Sequence, residues 1–161
     1  MAKSVFDGGA FDQLDRAILE ELQRNGRISI ADLARIVFLS PPAVYQRIKR
    51  LERAGIIRHY VALLDHELAG YDLMCFIRVS LEKHNREHIE QMHERVAAST
   101  AVLECYHTAG TYDLLLKVVA ADHRALERFI SEQLMTLPGI EKIETSVVLN
   151  EIKTTTAIVL K

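Results

Sequence analysis

The stretch LSPPAVYQRIKRLERAGII, residues 39–57, gathers polar and cationic side chains behind two adjacent prolines. Tyr45 and Gln46 carry hydrogen-bonding groups suited to base edges, and Arg47, Lys49, Arg50 and Arg53 carry the positive charge that phosphates attract. Val44, Ile48 and Leu51 recur at i, i+4 and i+7, so one helix face is apolar and the basic set lies mainly on the others. Ser40 is expected to cap this helix, with Pro41 at its first position and Pro42 and Ala43 in its first turn, and Gly55 to close it. Proline's fixed φ sets the entrance before any partner arrives, so the helix enters a groove without an ordering cost. The residues expected to meet DNA are Ser40, Pro41, Pro42, Ala43, Tyr45, Gln46, Arg47, Lys49, Arg50 and Arg53. The plain alternative is a basic face that is only solvated.

Other chemistries fit less well. HNREH, His84 to His88, matches a zinc-hydrolase pattern that needs both histidines on one helix face with the glutamate as base. Asn85 is expected to cap the following helix, which leaves His84 outside it and spoils the i, i+4 geometry. No third-ligand motif follows, and the sequence has no phosphate loop, dinucleotide fingerprint, nucleophile elbow or paired-cysteine metal motif. No enzyme activity, metal or cofactor is expected. His93 and His123 read as surface residues on helices, and His107 as a packing residue in an apolar strand. Cys75 and Cys105 sit in apolar stretches, where free cysteine behaves as a small hydrophobe.

The elements that must position the basic helix are legible on both sides of it. DQLDRAILEELQRNG spaces Leu14, Ile18, Leu19 and Leu22 as one helix face, with Asp12 as N-cap and Gly26 just past the end. SIADLARIV reads as a short second helix, with Ser29 and Asp32 at capping-box spacing. Three short helices, the third with a preset entrance and a basic face, match a helix-turn-helix DNA reader. IIRHYVALL, residues 56–64, reads as a strand that completes a winged-type domain over 11–64, and 65–70 as a linker. Residues 1–10 read as a leader.

Charge divides the chain at the same place. Residues 11–64 carry nine Lys/Arg against six Asp/Glu, whereas residues 65–161 carry ten against fifteen, so only the first part suits an anionic partner. With 49% hydrophobic and 26% charged residues the composition is that of a globular protein. It has neither an apolar run of about 18 residues nor the apolar centre of a secretory signal. A cytoplasmic protein without membrane association is expected.

Residues 71–161 follow a different order: DLMCFIRVSL as a strand, REHIEQMHERVAA as a helix and TAVLECYHTAG as a strand. YDLLLKVVA follows as a strand, HRALERFISEQLMTL as a helix capped by Asp122 and ended by Pro138 and Gly139, and IEKIETSVVL as a strand. Two successive βαβ units imply a ferredoxin-like βαββαβ domain, so the expected class is α+β, helix-turn-helix plus ferredoxin-like. Alternation in LLLKVV and TSVVLNEI leaves few polar residues for the sheet face away from the helices, which implies at least a dimer.

The residues also resemble a known family. LDRAILEELQRNGRISIADLARIVFLSPPAVYQRIKRLERAGIIRHYVALLD is similar to the DNA-binding domain of the Lrp/AsnC (feast/famine) transcription regulators, and AGTYDLLLKV with LPGIEKIETSVVLNEIK resembles their ligand-sensing domain. The likeness is collinear from about Phe11 to the C-terminus. It implies dimers on partly palindromic double-stranded DNA, octamers built as tetramers of dimers, and an amino-acid or related effector between subunits of the C-terminal domain. Carried over, the effector-binding positions are Gly110, Thr111, Tyr112, Asp113, Leu137, Ser146, Val147 and Val148. Gly110 would let a ligand approach the backbone and Asp113 would accept from an α-ammonium group; equally, both shape a hairpin turn. Thr111 stands where many relatives have an acidic residue, which leaves the effector's identity open. The rival reading is a small-molecule sensing module that acts through protein partners.

Overall fold

The computed structural model describes residues 12–82 and 86–160, the side chains of 86–89 excepted. His84 and Asn85, and the side chain of His88, lie outside the described residues. The chain forms two compact units, one running to Leu63 and taking in the segment from Lys153, the other spanning Leu64–Ile152. The segment from Lys153, which follows the second unit in sequence, packs with the first. There Ile158 exchanges two hydrogen bonds with the Gln23 side-chain amide, at 2.7 and 3.1 Å, and Leu160 packs on the helical core.

In the first unit, α1 spans Gln13–Arg24, α2 Ile30–Ile36 and α3 Pro41–Arg53. Asp12 caps α1 in a reciprocal box with Asp15, each carboxylate accepting from the other's backbone N–H. Ser29 Oγ caps α2 through the Asp32 N–H at 3.0 Å, but the Asp32 carboxylate takes the Ser29 hydroxyl at 2.6 Å, so that box is not reciprocal. Ile18 and Leu19 of α1, Leu33, Ala34 and Val37 of or beside α2, and Val44, Ile48 and Leu51 of α3 close one core. Phe38 turns the chain between α2 and α3 at φ 55°, a left-handed conformation unusual for a side chain of this size.

The expected strand over 56–64 does not form. Both the Ile56 and Ile57 N–H groups donate to the Leu51 carbonyl behind Gly55, at φ 71°, and their side chains pack on the helical core. The start of the segment is thus held as a helix terminus. A strand needs a ladder partner, and none among the described residues pairs with it. The linker 65–70 is a tight turn, in which Asp65 accepts from the Leu68 and Ala69 N–H groups.

In the second unit, β1 (Leu73–Leu81), α4 (Arg86–Ala98), β2 (Val102–His107), β3 (Leu114–Ala120), α5 (His123–Arg128) and β4 (Ile140–Val147) give a four-stranded antiparallel sheet in the order β2-β3-β1-β4. This is the expected βαββαβ arrangement. Cys75, Ile77 and Val79 of β1 and Leu114, Leu116 and Val118 of β3 pack with Met92 and Val96 of α4, Leu126 of α5 and Phe129, Leu134 and Leu137 beyond it. After α5 the helix widens over Phe129–Leu134 to i→i−5 bonding, where the sequence reads one regular helix. Phe129 and Leu134 lie five residues apart, and only the wider turn brings both to the core.

The other sheet face differs from expectation. In the register Phe76↔Ser146, Arg78↔Glu144 and Ser80↔Lys142, with Arg78↔Leu115 and Phe76↔Lys117, that face alternates polar with apolar groups. The apolar residues of LLLKVV point chiefly to the helices, because Leu114, Leu116 and Val118 share the face of Ile77. An excess of apolar surface there therefore gives no argument for a dimer.

Candidate functional site

The entrance of α3 is built by backbone alone. Ser40 adopts an extended N-cap conformation and its carbonyl accepts from the Val44 N–H at 3.1 Å, but its hydroxyl makes no capping bond. Pro41 and Pro42 fill the first two helical positions and carry no N–H, which leaves the Ala43 N–H as the usual capping donor, and the hydroxyl does not take it. Ser40 is the N-cap residue, as expected, and caps through its backbone alone. The first turn is nonetheless rigid, and it leaves the Ser40 hydroxyl available for an outside partner.

Along α3, Pro41, Pro42, Tyr45, Gln46, Lys49, Arg50 and Arg53 are exposed, and Ala43 is half-buried. Lys49 Nζ donates to Glu52 at 2.7 Å and lies 5.7 Å from the centre of the Tyr45 ring. The hydrogen bond to Glu52 pushes the Lys49 ammonium above its ordinary range, and the same bond holds Glu52 below its own. Arg53 is turned along the helix, its Nε donating to the Lys49 carbonyl at 3.2 Å.

Arg47 and Arg50 have protein partners. Arg47 Nη1 donates to Asp12 at 2.7 Å and to Asp15 at 2.9 Å, and Arg50 donates to the other Asp15 oxygen. Asp15 is wholly buried, Arg47 is 24% exposed and Arg50 52%. The Asp15 N–H, followed by Arg47, holds the Asp12 carboxyl below the usual carboxylate range; Asp12, then Asp15, pushes the Arg47 guanidinium up. Helix periodicity identifies Arg47 as off the apolar face but carries no information about the acids on α1 that meet it.

A second polar group lies on the open sheet face. Tyr112 donates to Glu144 at 2.5 Å, Lys142 donates to the Tyr112 hydroxyl at 3.3 Å, and Arg78 donates to Glu144 at 3.0 Å and Ser146 at 3.1 Å. Glu144 is held below the carboxylate range, first by the Tyr112 hydroxyl and then by the charges of Lys142 and Arg78. Lys142 is pushed up, chiefly by Tyr112. This arrangement offers two cations, an anion and two hydroxyls to a zwitterionic ligand. Arg78, Lys142 and Glu144 escaped sequence reading, although the alternation of Arg78 and Ser80 with Ile77 and Val79 is the signal that marks an open face.

The expected effector positions divide. Thr111, Tyr112 and Asp113 sit together at the end of β1: the Thr111 carbonyl accepts from Ser80 Oγ at 3.4 Å, and Asp113 accepts from the Leu81 N–H at 2.8 Å. Asp113 also donates its N–H to Val79 and accepts from the Thr108 N–H, which makes it the fastener of the turn. Gly110 has φ 154° and open space where a Cβ would stand. Ser146 joins the polar group through Arg78. Leu137 does not, being buried in the core beside α4, and Val148 lies towards the opposite end of β1, its N–H bonded to Met74. Val147, opposite Cys75, takes the helix-side alternation rather than that of Ser146.

Residues 11–58 match the model of a winged helix-turn-helix DNA-binding domain, and residues 74–158 match that of the Lrp/AsnC ligand-binding domain. The chain belongs to the Lrp/AsnC family. Lrp/AsnC proteins are transcription regulators rather than enzymes, and this chain has both the DNA-binding and the ligand-binding domain of that family. It is 38% identical over 152 residues to the leucine-responsive regulatory protein of Haemophilus influenzae, covering 94% of this chain and 92% of that one. The counterpart in Escherichia coli K12 is 36% identical over 154 residues, with 96% and 94% covered. Among solved structures, a transcriptional regulator of Neisseria meningitidis in complex with L-Met superposes with a TM-score of 0.88 at 37% identity, covering 92% and 96% of the two chains. AsnC of Escherichia coli superposes at 0.83 and 30% identity, covering 91% and 97%. In this Lrp/AsnC chain α3 falls inside the winged-helix match, and the Tyr112–Glu144 group falls inside the ligand-binding match. Among the described residues no helix is long and apolar enough to cross a membrane.

Proposed function

We propose that this regulator reads double-stranded DNA with α3 in the major groove, using Tyr45 and Gln46 at base edges and Ser40, Lys49, Arg50 and Arg53 at phosphates. Pro41, Pro42 and Ala43 form the close-fitting entrance. The observation that carries this reading is an exposed polar face on a helix whose first turn is fixed by Pro41 and Pro42 and whose far side is wholly buried. Duplex DNA recovered by the protein from a random pool gives the test: log affinity against log salt should fall steeply, by about 0.9 for each phosphate contacted. An interaction indifferent to salt would favour docking to another protein.

The second domain binds an amino acid or related small molecule, with Tyr112, Ser146 and the neighbouring Arg78, Lys142 and Glu144 as the recognising groups. The L-Met complex of the Neisseria regulator supports this class. Thr111 and Gly110 leave the approach open, whereas Asp113 serves the turn. The regulator works in the cytoplasm as dimers, assembled further as a tetramer of dimers, and the effector shifts that assembly through unequal affinity for its states. Calorimetry with L-Met and L-Leu, paired with sedimentation at each ligand concentration, tests both parts. Heat of binding without any change in assembly would refute the coupling.

A further inference from the structure

Asp15 is the only buried polar or charged residue among the described ones, and a carboxylate in that position needs its charge answered. Arg47 and Arg50 of α3 answer it, and Arg47 also spans to Asp12, so two acids and two arginines form a set with no net charge. Within it Arg47 is 24% exposed and its charge is met by two carboxylates, whereas the half-exposed Arg50 keeps guanidinium surface for a phosphate. The geometry of the set ties the middle of α3 to the first turn of α1 through Nη1 of Arg47, which bridges both carboxylates from a planar guanidinium that a lysine's flexible stem does not reproduce. By contrast, Arg53 has no carboxylate within 4 Å among the described residues, and its Nε donates to a backbone carbonyl of its own helix.

We infer that Arg47 is a positioning residue: it fixes the angle at which α3 leaves α1, and so the aim of Tyr45 and Gln46 at base edges, instead of holding a phosphate. This rests on the DNA-reading function proposed above and refines it. A phosphate contact and a positioning clamp predict opposite outcomes. Losing a phosphate contact lowers affinity for every duplex alike and flattens the salt dependence; losing an aiming device leaves the salt dependence and erodes discrimination between sequences.

The experiment uses the full chain, a duplex selected by the wild type and a scrambled duplex of the same length, each titrated over a salt series. Circular dichroism gives the folded fraction by which every affinity is corrected. Arg53→Ala should reduce the salt slope by about 0.9. Arg47→Ala should leave the slope unchanged and lower the preference for the selected duplex by about tenfold or more. Arg47→Lys, which keeps the charge, should lose the same preference; if Arg47→Ala fails to fold, this variant alone decides. A slope reduced in Arg47→Ala as in Arg53→Ala, or full preference retained in Arg47→Lys, overturns the inference while leaving DNA reading intact. A wild type that binds neither duplex overturns DNA reading itself, and the inference with it.

Discussion

The Tyr112 hydroxyl donates to the Glu144 carboxylate at 2.5 Å, tying the turn after β2 to the open face of β4. Lys142 and Arg78 approach the same carboxylate at 3.7 and 3.0 Å, so the anion is favoured by three neighbours at once. Glu144 therefore has a folded-state pKa below its ordinary 4.5. A depressed carboxyl contributes stability that is present above its unfolded value and lost as pH falls through its folded value. Tyr112→Phe removes the largest cause and should move the Glu144 titration, followed by NMR of the side-chain carboxyl carbon, back up towards 4.5. An identical titration in the two proteins would show that Lys142 and Arg78 suffice.

Asp113 does structural work at the end of β1. Its carboxylate accepts from the Leu81 N–H at 2.8 Å, and its own N–H reaches the Val79 carbonyl at 2.9 Å. Asp113→Ala leaves the partly buried Leu81 N–H without its acceptor, which costs about 1–3 kcal/mol. Urea denaturation should show a lower midpoint by that margin. Were the midpoint unchanged and only the response to an amino acid lost, the carboxylate would be a ligand group instead.

Leu116 sits in the centre of the sheet, wholly buried between Ile77 of β1 and the helices. Truncating it leaves a cavity that strands held on both sides cannot collapse to fill. Leu116→Ala should destabilise the protein by about 2–5 kcal/mol in equilibrium unfolding. A loss under about 1 kcal/mol would mean that the sheet adjusts freely, against the register that packs it.

What the sequence disclosed follows from how local each signal is. The caps at Asp12, Ser29 and Asp122 act over three residues, so spacing alone locates them, and all three side chains accept the expected backbone N–H. The βαββαβ order was legible because each strand and helix has its own periodicity and the connections admit few topologies. The partners of Arg47 were illegible for the opposite reason: Asp12 and Asp15 lie 35 and 32 residues away, and no pattern within α3 reveals them. The polar sheet face was missed because strand register, not composition, decides which of Leu114 and Leu115 turns to the helices. Residues 56–64 have the composition of a strand, but strand formation depends on a partner that composition does not supply.

The C-terminal segment gives a last prediction. Gln23 presents its amide to Ile158 as a second backbone would: Oε1 accepts from the Ile158 N–H at 2.7 Å, and Nε2 donates to the Ile158 carbonyl at 3.1 Å. Both bonds are solvent-exposed, so their net contribution is small, and the partly buried Leu160 supplies the remaining hold. Gln23→Ala removes both hydrogen bonds without touching the core, so global stability should change by less than about 1 kcal/mol. Exchange of the Ile158 amide with solvent should nevertheless speed up severalfold, as local opening no longer requires breaking its acceptor. Gln23→Glu keeps an acceptor for that amide but loses the donor to the carbonyl, and should fall between the two. Equal protection of Ile158 in all three proteins would mean that Leu160 alone holds the segment and that the amide pair is incidental.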